Sequence, residues 1–132
     1  INNKNYNSFI GYDESLAHVI YAGADFLLMP SRVEPCGLNQ MYSLRYGTIP
    51  VVNAIGGLKD TIIDIKNDGF GICHNTVNVE EVTHAISRAT AYFKNKKVFQ
   101  KNVTKVMKIN NSWSNSAQLY VNLYKSLQQT KK

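Results

Sequence analysis

The sequence predicts an α/β fold, a parallel sheet flanked by helices. Two apolar runs, ADFLLM (24–29) and TIPVVN (48–53), have strand length and the unbroken hydrophobicity of strands buried on both faces. GFGICH (69–74) reads as a further strand. Segments of helical periodicity alternate with them, ESLAHVIYAG (14–23) before the first run and GLNQMYSLRYG (37–47) between the first and second. That alternation is the spacing of βαβ units, which calls for parallel strands and right-handed crossovers.

Each element has its own signal. YNSFIGY (6–12) reads as a short strand. In 14–23, Leu16, Val19, Ile20 and Gly23 fall on helical steps, and Gly23 can close the helix. In 37–47 the steps are Leu38, Met41, Tyr42 and Leu44 or Arg45, with Gly47 as the stop. AIGGLKD (54–60) reads as a glycine turn. From residue 78 the pattern is helical only. Asn78 can cap, with Glu81 as the return partner, and Val79, Val82, Ile86, Ala89 and Phe93 share one face. Phe99, Val103, Val106 and Met107 make a looser stripe. A last helix follows Ser112 or Ser114, with Ala117, Tyr120, Val121, Tyr124 and Leu127 inward and Trp113 pinning it to the core. Residues 1–77 therefore alternate strand and helix, and 78–132 are helical. No repeat or low-complexity linker divides them, so a single Rossmann-like unit is expected.

Composition narrows the class. At 132 residues and 44% hydrophobic, the chain can bury a core of ordinary size. No stretch approaches the roughly 18 apolar residues of a membrane span. The start, INNKNYNSF, is polar and lacks Met, so it reads as a cut end and not as a signal peptide. Two cysteines, Cys36 and Cys73, make no disulfide framework and fit a reducing compartment. Charge is uneven: nine acids and five bases in residues 1–81, then ten bases and no acid in 82–132, giving −4 and +10 and the overall +6. A basic half suits nucleic acid or a solvated lysine face. No RNA-binding aromatic signature or zinc spacing accompanies the lysines, and the solvated face is the reading preferred.

The candidate site is SRVEPCGLNQ (31–40), which follows the apolar run directly. Ligands of open parallel sheets bind beyond the carboxyl ends of the strands. A helix start there offers free N–H groups and a positive dipole end, which suits a phosphate. Gly37 allows close approach to the backbone, and Pro35 presets the helix entry. Glu34 either faces what the loop holds or only favours the helix dipole. Cys36 stands at the helix start, but no histidine is near in sequence to make it a nucleophile, and a packing role is expected. Gly56-Gly57 is a short glycine pair that reads as an ordinary turn or as a second close approach. His18, His74 and His84 lack metal spacing, so no metal is expected.

SRVEPCGLNQMYSLRYGTIPVVNAIGGLKDTIID, with GYDESLAHVIYAGADFLLMPS upstream, closely resembles the C-terminal half of bacterial glycogen synthases and plant starch synthases. The resemblance is strong over 11–64; NVEEVTHAI and WSNSAQLYVNLYKSL match in style only. It implies part of the C-terminal domain of a GT-B retaining glucosyltransferase. Such enzymes move glucose from ADP-glucose to the non-reducing end of an α-1,4-glucan, without a cofactor or a required metal. It further implies that Glu34 contacts the donor glucose and that the backbone of Cys36, Gly37, Leu38 and Asn39 holds the diphosphate. Tyr12 matches the position whose ring stacks on adenine. A bacterial cytoplasmic protein is implied, or a plastid one from a plant.

Two positions depart from the family pattern. Asn39 stands where Thr is usual, which preserves a donor for phosphate. Ile55 replaces the Thr before the glycine pair and removes a hydroxyl. Tyr42 stands where other GT-B families carry a second glutamate, in agreement with the glycogen synthase branch. The family's Arg–Lys donor clamp and its acceptor-binding N-terminal domain lie outside these residues, so the chain alone is expected to be inactive. The other readings are a stand-alone nucleotide-sugar module and a basic nucleic-acid-binding domain using 94–108.

Overall fold

The structure is a computed structural model that describes residues 4–129. Helix α1 (Glu14–Gly23) leads to strand β1 (Phe26–Met29), then α2 (Asn39–Tyr46), β2 (Ile49–Asn53) and α3 (Gly56–Thr61). A 3-10 turn (Ile65–Asn67) precedes β3 (Ile72–His74), and α4 (Val79–Lys94), α5 (Lys96–Val106) and α6 (Trp113–Gln129) follow. The strands form one parallel sheet in the order β1-β2-β3, as the α/β expectation requires. The register pairs Phe26 with Ile49 and Met29 with Val52, then Val51 with Ile72 and Asn53 with His74.

The central strand explains the layers. Every residue of β2 is buried. Successive side chains of a strand point to opposite faces, and Val51 and Val52 fall in different apolar clusters. Val52 packs with Met29, Leu44, Leu58, Ile62, Phe99 and Val106. Val51 packs with Ile72, Ala85 and Ala89. So α4 covers one face, while α2, α3 and α5 cover the other.

Local signals set most boundaries. Asp13 caps α1 by accepting the Leu16 N–H, and Asn78 caps α4 by accepting the Glu81 N–H at 2.8 Å. Gly47 ends α2 in the left-handed region at φ 86°.

Several expectations are corrected. Residues 6–12 form no strand: Phe9, Ile10 and Tyr12 are exposed, and no strand among the described residues lies alongside to pair with their backbone. Residues 54–60 are not a turn but open the short helix α3. Val19 and Ile20 of α1 are exposed, and Tyr21 is the residue it buries. On α4, Val79 is exposed at the helix start and Ile86 is only half-covered, at the rim of a cleft it shares with Phe26, Leu28 and Val51, while Ala85 and Ala89 are buried against Val51 and Ile72. Met107 of the looser stripe is exposed, whereas Phe99 and Val106 are core. Trp113 is 88% exposed and so does not anchor the last helix in the core among the described residues. Tyr120, Val121, Tyr124 and Leu127 of α6 are likewise exposed, so the apolar stripe of that helix meets no core among the described residues.

One ion pair ties α4 to the edge of β3. Arg88 Nη2 lies 2.5 Å from Asp64 Oδ1, and its Nη1 donates to Cys73 O at 3.1 Å. The N–H groups of Cys73 and Lys66 also donate to the Asp64 carboxylate, at 2.7 and 2.8 Å. Burial alone raises the Asp64 pKa, but Arg88 and these two N–H groups together outweigh it and hold the carboxyl below its ordinary value. Such a group adds stability above its unfolded pKa, about 4, and loses it as pH falls through the lower folded value. Arg88→Met is therefore expected to lower stability by about 1.5–3 kcal/mol near neutral pH. The deficit should shrink as pH falls through the unfolded carboxyl range and then through the lower folded value, until Asp64 is protonated in either protein. Urea melts across that range check it; a deficit that ignores pH would assign the loss to packing of the Arg88 stem.

Candidate functional site

Residues 30–38 leave β1 at its carboxyl end and enter α2, so the candidate loop lies at the expected edge of the sheet. Glu34 sits half-buried in mid-loop. Its Oε2 accepts a hydrogen bond from Ser31 Oγ at 3.2 Å. Ser31 is held in turn: Asn53, the buried last residue of β2, donates from Nδ2 to Ser31 O at 2.8 Å. The carboxylate is thereby oriented through one side chain and one backbone carbonyl by the neighbouring strand.

The far side of the loop rests on the start of α3. The Gly57 N–H donates to Glu34 O at 3.1 Å. No side chain fits between them. A Cβ on Gly56 would fall 1.9 Å from Glu34 O, and one on Gly57 would fall 1.8 Å from Cys36 O. The glycine pair is thus the surface against which the Glu34 loop is seated.

Beyond Glu34 the loop runs into a helix start with no side-chain cap at Leu38. First-turn N–H groups have no intrahelical acceptor, and the helix dipole adds a partial positive charge beside them. Cys36, Gly37, Leu38 and Asn39 are therefore gathered at a feature suited to an anion, with the Glu34 carboxylate just upstream. Gly37 has φ +71°, a conformation that glycine alone adopts freely. Cys36 is exposed, which removes the packing role expected of it. Burial, reinforced by Asp64 and opposed by Arg88, pushes the Cys73 thiol up to about 11, so that sulfur stays protonated.

Tyr12 is not brought to the loop. It is 89% exposed just ahead of α1, with its hydroxyl 3.5 Å from Glu14 Oε2. No hydrogen bond or ring contact links it to residues 31–40 among the described residues. His18 meets Tyr46 at 3.0 Å, and His74 Nδ1 donates to Thr76 O at 2.8 Å, so both have local partners. No cluster of three His, Cys, Asp or Glu side chains that could hold a metal is found among the described residues. The lysines of α5 are exposed; Lys105 reaches Asp68 O at 3.3 Å, and Lys96 lies over the Phe93 ring.

Sequence reasoning missed Ser31, Gln40 and Asn53. Hydrophobic stepping put Leu38, Met41, Tyr42 and Leu44 or Arg45 on one helical face; of these Leu44 is buried, and the other residues α2 buries are the polar Gln40 and Ser43. A buried polar face is invisible to apolar periodicity. Asn53 alone left a trace, as a polar residue closing an apolar strand.

Residues 2–116 match the family described as glycosyl transferases group 1. The chain belongs to this family. It is 51% identical over 127 residues to a glycogen synthase of Flavobacterium johnsoniae, covering 96% of this chain and 27% of that protein. It is 50% identical over 120 residues to a glycogen synthase of Thermodesulfovibrio yellowstonii, covering 91% and 24%. Among solved structures it resembles the catalytic domain of starch synthase IV from Arabidopsis thaliana bound to ADP and acarbose. There the TM-score is 0.80 at 39% identity, over 89% of this chain and 25% of that one. The chain thus spans about a quarter of the length of the relatives it matches. The fold is that of a GT-B C-terminal domain, and the parent family is enzymatic.

The glycine pair gives a direct test of the loop contact. Gly57→Ala is expected to destabilise the chain by about 1–3 kcal/mol, because a backbone carbonyl and not a flexible side chain must give way. Gly23→Ala is the control: nothing lies within 4 Å of its would-be Cβ. It should be neutral or stabilise by up to about 1 kcal/mol. Thermal melts of both variants decide it, and equal melting temperatures would mean that the seating contact carries no strain.

Proposed function

We propose that this chain is the donor-holding portion of a glycogen or starch synthase, a retaining glucosyltransferase that moves glucose from ADP-glucose to the non-reducing end of an α-1,4-glucan. In this reading, residues 1–132 form part of the C-terminal domain, and the acceptor-binding domain lies elsewhere in the full-length enzyme. One observation carries the reading. A carboxylate oriented by Ser31 is followed within a few residues by an uncapped helix start, in a chain with strong likeness to glycogen synthases.

That pairing suits the chemistry. In retaining transfer, positive charge builds on the anomeric carbon while negative charge builds on the departing diphosphate. Glu34 would face the sugar, binding its hydroxyls and favouring the cationic carbon. The N–H groups of Cys36, Gly37, Leu38 and Asn39 would face the phosphates. Tyr12 would supply a ring for the base, once the nucleotide or the rest of the enzyme brings the two together.

Glu34→Gln in the full-length enzyme keeps size and removes charge. Turnover is expected to fall by about 100-fold or more, the scale of lost charge-stabilising groups, with donor affinity little changed. Near-normal turnover would leave Glu34 as a helix-dipole residue only. Tyr12→Ala is expected to raise the donor KM by roughly tenfold to a hundredfold, since stacking on a base is worth about 1–3 kcal/mol. Tyr12→Phe should be mild. An Ala variant that binds ADP as tightly as the parent would remove Tyr12 from the site.

A further inference from the structure

We propose that Gln40 is a positioning residue that sets the aim of the phosphate-facing N–H groups, an inference that rests on the donor-site reading above. Gln40 lies in the first turn of α2 and is fully buried. Its Nε2 donates to Cys36 O at 3.3 Å and to Gly37 O at 3.1 Å, and also lies 3.1 Å from Thr61 Oγ1. Thr61 Oγ1 donates onward to Gly57 O at 2.6 Å. One interior amide therefore joins the loop, the first turn of α2 and the end of α3.

The consequence follows from peptide geometry. In a trans peptide the C=O of one residue and the N–H of the next point in opposite directions. No peptide bond of the described residues is cis. Drawing the carbonyls of Cys36 and Gly37 inward to a buried amide turns the N–H groups of Gly37 and Leu38 outward. Neither N–H has a hydrogen-bond partner among the described residues. These are the groups to which the reading above assigns the diphosphate. Gln40 thus acts on the donor through two peptide planes without touching it.

Gly37 and Gln40 also depend on one another. A Cβ at residue 37 would lie 2.6 Å from Gln40 Oε1 and 2.9 Å from its Nε2. The left-handed turn at Gly37 brings both carbonyls within reach of one amide, and that amide then occupies the space a side chain would need. The charge pattern fits as well. The amide is neutral, so it can order the carbonyls without placing a charge beneath the phosphates.

The test uses the full-length enzyme and two apolar variants of similar volume, Gln40→Met and Gln40→Leu, neither of which can donate to the carbonyls. Calorimetry with ADP, and displacement with adenosine, separate the diphosphate from the base. In both variants the ADP Kd is expected to rise by about tenfold or more, the scale of losing aligned charge-assisted bonds. The adenosine Kd, the binding stoichiometry and the glucan KM should not move. Equal weakening of ADP and adenosine, or unchanged ADP affinity, would overturn the proposal. Wild-type protein carrying 15N-glycine and 15N-leucine gives a second readout that needs no variant. The Gly37 and Leu38 amides should shift with ADP and stay in place with adenosine, and amides indifferent to ADP would overturn the proposal. If the wild-type enzyme binds no ADP at all, the donor-site reading itself fails and this proposal falls with it. ADP binding that survives loss of the Gln40 amide refutes the positioning role alone.

Discussion

The backbone contact between residues 34–36 and the start of α3 is the constraint on which the site depends. Two loops leave the carboxyl ends of adjacent parallel strands, and adjacent strands lie only about 4.8 Å apart. For both loops to stay over the sheet, one must present a surface without side chains. Gly56 and Gly57 supply it, and the Gly57 N–H turns the close approach into a hydrogen bond with Glu34 O. The carboxylate of Glu34 is then free to point away from the contact, because its own carbonyl is the part held down.

Around that contact, the loop is tethered at its two ends by different elements. Asn53 holds Ser31 O at the entry, and Gln40 holds Cys36 O and Gly37 O at the exit. His74, which closes β3 as Asn53 closes β2, does the same for the next loop by donating to Thr76 O. At this edge of the sheet, buried side-chain donors draw loop carbonyls inward. A carbonyl tied inward leaves the following N–H facing out, so an edge built this way presents donors to solvent. In the proposed donor site, that orientation would favour an anion through the backbone alone, since residues 35–39 hold no lysine or arginine.

Much of this was legible in the residues. The apolar run that became β2 is buried at every position, as unbroken hydrophobicity implied. The Asn78 cap and the Gly47 stop fell where their side chains, or lack of one, required. The loop of Glu34 was found because an acid, a proline and a glycine after an apolar strand fit no core. What was not legible has a common physical cause. Gln40, Ser43 and Asn53 are polar yet buried, and a polar residue goes inside only where a specific partner waits, usually far off in sequence. Local pattern cannot show that Gln40 will meet Thr61 or that Asn53 will meet Ser31. The stripe on α6 and the strand expected at 6–12 failed for the converse reason: apolar spacing shows what could be buried, and burial also needs a surface to receive it.

The same reasoning explains why stability and function are hard to separate in this chain. The residues that orient the loop also complete the interior: Asn53 is the last buried residue of the central strand, and Gln40 fills the gap between α2 and α3. Each amide gives its N–H groups to the loop, so any change that improves its fit in the core removes a tether. Replacing Gln40 by an apolar side chain of the same volume would relieve the difficulty of burying an amide. It would also release the two carbonyls whose inward pull faces the N–H groups outward. The polar character of the inner face of α2 is then a compromise set at the site. An apolar face would pack as well or better, but it would leave the loop's peptide planes free to turn.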